Sequence, residues 1–112
     1  MTYLPEVRLD RSDPFEAALI EMVKVFRSKN GDYAGDNGIF YNFEATAALM
    51  GLRREQVADA FEVTKMTRIK SLGGGDVNNE SVLDSYLDKA NYAVIAYAMK
   101  LEESWRGSPP LS

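Results

Sequence analysis

The side chains able to do chemistry in this 112-residue chain are oxygen donors and cations, because it contains neither histidine nor cysteine. That absence removes an imidazole base, a thiol nucleophile, a disulfide and any His/Cys zinc site. What remains are carboxylates at helical spacing. At about 100° per residue, Glu80, Asp84, Asp88 and Asn91 fall in one narrow column that runs on into apolar Ile95 and Met99. Glu55, Asp59 and Glu62 form a second column, which runs on into Met66 and Ile69. A solvated face stays polar along its length, so a column that turns apolar predicts carboxylates aimed at a bundle interior or a cleft. Acids crowded there need a cation or a shared proton. Hard oxygen ligands select Mg²⁺ or Mn²⁺, expected on Asp59, Glu62, Glu80, Asp84 and Asp88; such a metal favours phosphate oxygens and acidifies bound water. The alternative is that the acids pair with Lys65, Arg68, Lys70 and Lys89, or sit solvated at helix ends.

The cations follow the same logic. Lys65 and Arg68, three apart on one helix face, can reach a phosphate or pair with Glu62 or Asp84. Upstream, the run from Lys29 to Gly38 is dense in turn residues, and Ile39–Glu44 follows it with Phe40, Tyr41 and Phe43 close together. Two readings stand for that run. It is an Asx-rich connection with the aromatics in the core, or a lid in which Lys29 meets a phosphate and Tyr33 or Tyr41 stacks on a base.

Four helices must position these groups. Asp13-Pro14 starts the first, with Phe15, Leu19, Met22, Val23 and Phe26 on one face and an end near Lys29-Asn30-Gly31. The second starts in the aromatic run and stops at Met50, with Gly51 just past its end. A third spans about 53–72 with Val57, Ala60, Phe61, Met66, Ile69 and Leu72 apolar. The fourth spans 79–104, with an apolar stripe of Leu83, Leu87, Ala90, Val94, Tyr97 and Leu101. Short connections predict an all-α antiparallel bundle of four main helices in one domain over 13–105. A short extended N-terminal arm over 1–12 precedes it, a disordered tail over 106–112 follows it, and Trp105 is expected to anchor packing. Gly73-Gly74-Gly75-Asp76 reads as a hinge and not a Walker loop, since no Lys-Ser/Thr follows.

The totals bound the partners. A net charge of −4 offers no basic surface for duplex nucleic acid. The sequence shows neither an apolar leader core nor a run of membrane-spanning length, so the expectation is a cytoplasmic protein with no membrane contact. Apolar residues on more than one side of the third helix predict a homodimer or larger assembly.

The run Lys29-Asn30-Gly31-Asp32-Tyr33, then Asn42-Phe43, Lys65-Met66-Thr67-Arg68, and the block Glu80–Asp88 with Asn91-Tyr92, resembles a phage and prophage family, the nucleotide-modification-associated domain. The likeness covers roughly residues 13 to 103. It implies an all-helical protein, in the host cytoplasm if phage-encoded, that acts on or binds nucleotides through Lys29, Asp32, Tyr33, Lys65, Arg68 and Asn91. More distantly, the helical plan is similar to the all-alpha nucleoside triphosphate pyrophosphohydrolases (the MazG-like group). In those enzymes Glu-x-x-Glu and Glu-x-x-Asp pairs chelate Mg²⁺. Asp59-x-x-Glu62 matches the first pair, whereas Glu80, Asp84 and Asp88 are spaced by four and depart from the second. Two functions therefore stand: a Mg²⁺-dependent nucleotide pyrophosphohydrolase, or a non-catalytic binder of a nucleotide signal or a host protein.

Overall fold

A computed structural model describes residues 7–33, 38–73 and 80–107, apart from the side chains of 30–33, Glu80 and Gly107. Four helices follow in order: α1 (Pro14–Tyr33), α2 (Tyr41–Met50), α3 (Arg54–Ser71) and α4 (Glu80–Gly107). Among the described residues there is no strand, and the fold is an all-α bundle. The beginning of the expected arm (1–6), the rest of the expected hinge (74–76), Asn79 and 108–112 lie outside the described residues.

Local chemistry sets the helix boundaries. Asp13 caps α1, its Oδ1 accepting the Glu16 N–H at 3.0 Å, with Pro14 at the first helical position. Gly51 ends α2 at φ 70°, a left-handed conformation that glycine adopts without strain. At the start of α3, Gln56 reaches back to accept the Arg53 N–H at 2.9 Å. One boundary corrects the sequence reading: α1 does not stop near Lys29-Asn30-Gly31 but runs to Tyr33. A single glycine costs a helix only about 1 kcal/mol, which a helix already packed on its neighbours can absorb. Part of the expected lid is therefore helix.

The helices close on Phe40, Ala58, Ile95 and Met99, with Phe26, Phe43 and Tyr92 packed against that cluster. Helices α3 and α4 make the broadest contact. They run antiparallel, since Arg54 meets Glu102 near one end and Lys65 meets Asp88 near the other.

The buried face of α4 is a second correction. Leu83, Val94 and Tyr97 of the expected apolar stripe are exposed, and Val82, Ser85, Asn91, Ile95 and Met99 are buried instead. The column that begins with acids at 80 and 84 is thus the inward face from Asp88 onward. Trp105 is exposed and anchors nothing, while Phe15 and Val23 of α1 and Ala60, Phe61 and Met66 of α3 are also exposed.

Candidate functional site

Where the inward column of α4 meets α1, α2 and α3, the bundle encloses a pocket of about 200 Å³. Its walls are mainly apolar. Phe26 of α1, Phe43 of α2, Phe61 of α3 and Tyr92 and Ile95 of α4 line it, with Lys29, Asn42, Asp88 and Asn91 as its polar groups. Three of the rings form one cluster: Phe61 and Tyr92 have centroids 5.4 Å apart, Phe43 and Phe61 5.9 Å, and Phe43 and Tyr92 6.3 Å. The tilted and edge-on arrangements are those aromatic quadrupoles prefer.

Asn91 stands out within this wall. It is 8% exposed, and its Nδ2 is buried with no hydrogen-bond partner. A buried amide donor left unpaired costs about 1–3 kcal/mol, so its retention calls for an explanation beyond packing.

The polar side of the pocket carries Asp88 between two lysines. Lys65 Nζ lies 3.1 Å from one carboxylate oxygen and Lys29 Nζ 3.4 Å from the other. Among the described residues, two cations meet this one carboxylate beside the pocket, in a protein that is acidic as a whole. Such a place attracts an anionic ligand.

The expected metal centre is not assembled among the described residues, where no three acidic side chains come together to hold an ion. Asp59 and Asp84 are exposed. Glu62 pairs with Lys89 at 3.6 Å, and Asp88 is taken by its two lysines. Glu55 accepts from Arg53 at 2.7 Å and lies 3.7 Å from Lys100. Its pKa is lowered, first by the hydrogen bond from Arg53 and then by one from its own backbone, with Lys100 adding attraction. The physical reason is register: antiparallel packing brings lysines opposite both acidic columns. The Glu80 side chain lies outside the described residues.

Of the expected nucleotide-binding residues, Lys29 and Asn91 line the pocket and Lys65 holds Asp88 at its edge. Arg68, three residues beyond Lys65, is exposed and does not line it. The side chains of Asp32 and Tyr33 lie outside the described residues. Tyr41 is exposed and does not line the pocket; the rings that do are Phe26, Phe43, Phe61 and Tyr92. Sequence reasoning assigned these to the core, or left them unassigned, since an aromatic at helical spacing looks the same in a core and in a pocket wall.

Arg54 also went unread. It is nearly buried at the opposite end of α3, paired with Glu44 at 2.8 Å, Glu102 at 2.9 Å and Glu103 at 3.6 Å. It also donates to the Met99 carbonyl at 3.1 Å and lies 5.2 Å above the Phe40 ring. Burial works against its charge, but hydrogen bonds to Glu102 and Glu44 outweigh that and raise its pKa.

Among the described residues no helix is long and apolar enough to cross a membrane. The chain matches no protein-family model, no curated protein and no solved structure.

Proposed function

We propose that this chain binds a nucleotide, with the base in the aromatic pocket and the phosphates at Lys29 and Lys65. The observation that carries the proposal is the buried, unpartnered Nδ2 of Asn91 in an otherwise apolar wall. A flat ring that presents an acceptor to that donor satisfies it. Its faces and edges meet Phe43, Phe61 and Tyr92, where stacking on aromatics contributes about 1–3 kcal/mol per base. A pocket of about 200 Å³ suits a base rather than a whole nucleotide. The sugar and phosphates therefore extend outward, where Lys65 and Lys29 exchange Asp88 for phosphate oxygens. The resemblance of Lys29–Tyr33 and Glu80–Tyr92 to the nucleotide-modification-associated domain supports the same ligand class.

The second reading is the Mg²⁺- or Mn²⁺-dependent pyrophosphohydrolase. It is favoured by the place of Glu62 and Asp88 on the broadly packed α3–α4 pair, with Lys89 at Glu62 and Lys65 and Lys29 at Asp88. The described acids form no ready cage, so we assign no catalytic step to them. A thermal-shift panel of nucleosides and of their mono-, di- and triphosphates, with and without Mg²⁺, tests both readings when the products are then separated. Binding predicts a rise in melting temperature that is larger for phosphorylated compounds than for nucleosides. Intact nucleotide recovered after long incubation with Mg²⁺ rejects the hydrolase reading. No shift with any nucleotide rejects both.

A further inference from the structure

We propose that α1 is the moving wall of the pocket: it leaves α4 to admit the base and closes over it again, held shut in the empty protein by Lys29 on Asp88. The inference rests on the nucleotide reading of this pocket and accounts for how its ligand enters. Asn91 lines the pocket, yet its Nδ2 is buried. A donor shielded even from water cannot meet a base until some wall gives way. All four helices supply walls, and they are not held equally.

The core forms without α1. Phe40 just before α2, Ala58 of α3, and Ile95 and Met99 of α4 compose it, while Phe26 of α1 packs on it from outside. The ring cluster of Phe43, Phe61 and Tyr92 likewise spans only α2, α3 and α4. Among the described residues α1 packs mainly on α4, over a far narrower contact than the one between α3 and α4. Met22 is the one buried side chain described in α1, whereas α4 buries Val82, Ser85, Asn91, Ile95 and Met99. The tie from Lys29 to Asp88 is 3.4 Å long with the lysine 55% exposed, and such a pair contributes little. Few buried apolar contacts are what let one element open while the rest stays folded.

Departure of α1 uncovers the side of the pocket lined by Val25, Phe26 and Lys29 and leaves the other three walls standing. On its return α1 brings Phe26 to the base and Lys29 to the phosphates. A nucleotide that touches both α1 and the α2–α4 body therefore favours the closed state. Until then the Asp88 carboxylate takes the place of a phosphate on Lys29, which keeps the empty pocket shut.

Hydrogen exchange of the full chain, followed by mass spectrometry, tests the proposal. A freed helix of 20 residues is marginal in water, so its amides exchange each time it leaves. In the free protein the α1 amides should exchange at least about tenfold faster than those in the middle of α3 and α4. Lys29→Ala should speed α1 a few-fold. Ile69→Val trims the buried face of α3, which the open and closed states share, so it should speed α3 and α4 several-fold and leave α1 unchanged. ATP, GTP, CTP and UTP, each at about 5 mM, then probe closure, and any that raises the melting temperature should also slow α1. If none raises it, the nucleotide reading fails, while the rates in the free protein and the two variants still decide whether α1 moves. The proposal is overturned by an α1 that exchanges no faster than α4, that is indifferent to Lys29→Ala, or that follows α4 in Ile69→Val. A nucleotide that raises the melting temperature without slowing α1 overturns it as well.

Discussion

Arg54, nearly buried at the start of α3, and Asn91, buried on the inward face of α4, are both polar side chains packed against the core, yet their surroundings differ in kind. Arg54 is saturated: three carboxylates, a backbone carbonyl and an aromatic face take up its charge and donors. Asn91 sits at the other end with an amide donor that nothing accepts. A cation held among three carboxylates marks a structural joint, because breaking it is costly; the buried Glu102 Oε1 there, without a hydrogen-bond partner, still has the Arg54 charge 2.9 Å away. Burial with a donor left over stores an interaction that a ligand can complete. This contrast, more than the acids of the chain, locates the candidate site.

The contrast breaks most visibly at Arg54. Removing it in Arg54→Ala strands Glu102 and its neighbours without their cation, and the expected cost is about 3 kcal/mol by urea denaturation. A loss below about 1 kcal/mol would put the joint in the class of exposed pairs instead. Asn91→Leu should act in the opposite sense. Replacing a buried amide whose Nδ2 is unpaired with an apolar group of similar size should raise stability by about 1 kcal/mol and nucleotide dissociation constants more than tenfold. A destabilised variant that still binds would mean that Asn91 is part of the scaffold.

Smaller effects sharpen the comparison at the pocket's edge. Lys65→Ala should weaken triphosphate binding about fivefold, the worth of one charged hydrogen bond on a partly exposed site. Asp88→Asn should tighten it a few-fold, since that carboxylate competes with phosphate for both lysines. Isothermal titration of both variants at low salt reads the difference. Equal affinities in wild type and Asp88→Asn would separate the phosphate from these lysines.

The difference between the two ends also explains what could be read from residue order. Helix limits were legible where a local signal sets them: Asp13-Pro14 at the start of α1, Gly51 at the end of α2. So was the inward turn of the column through Asp88, Asn91, Ile95 and Met99, because apolar residues followed polar ones at one spacing. The wrong face of α4 came from reading the cleaner stripe as the core. Periodicity reports an apolar face without saying which neighbour covers it. The metal centre was read from acids within each helix, while Lys29, Lys65, Lys89 and Lys100 reach them from other helices. Such pairings depend on helix register, which intervening residues do not encode locally. The unpaired state of Asn91 is likewise a property of everything around it.

The smallest effect concerns acid, and it belongs to the saturated end. Glu55 has its pKa lowered chiefly by the hydrogen bond from Arg53, and Glu103 has its own lowered chiefly by the hydrogen bond from Lys100. A carboxylate whose folded pKa lies below its unfolded one stabilises the fold fully above the unfolded value. That contribution is lost as pH falls through the folded value. The melting temperature should therefore decline as pH falls through and below the ordinary glutamate range, and the slope should be shallower in a Glu55→Gln, Glu103→Gln double variant. At neutral pH the variant should start slightly below wild type, because the charge-assisted bonds to Arg53 and Lys100 are weakened. Both groups lie near the surface, so the shift is expected to be a few degrees at most and to shrink in high salt. The pocket end offers the control. Asn91→Leu changes no titrating group, so its higher melting temperature should follow the wild-type curve in parallel. If that variant flattens the acid slope as much as the double Gln variant does, the two ends are coupled through α4, and saturation at one cannot be treated apart from the open donor at the other.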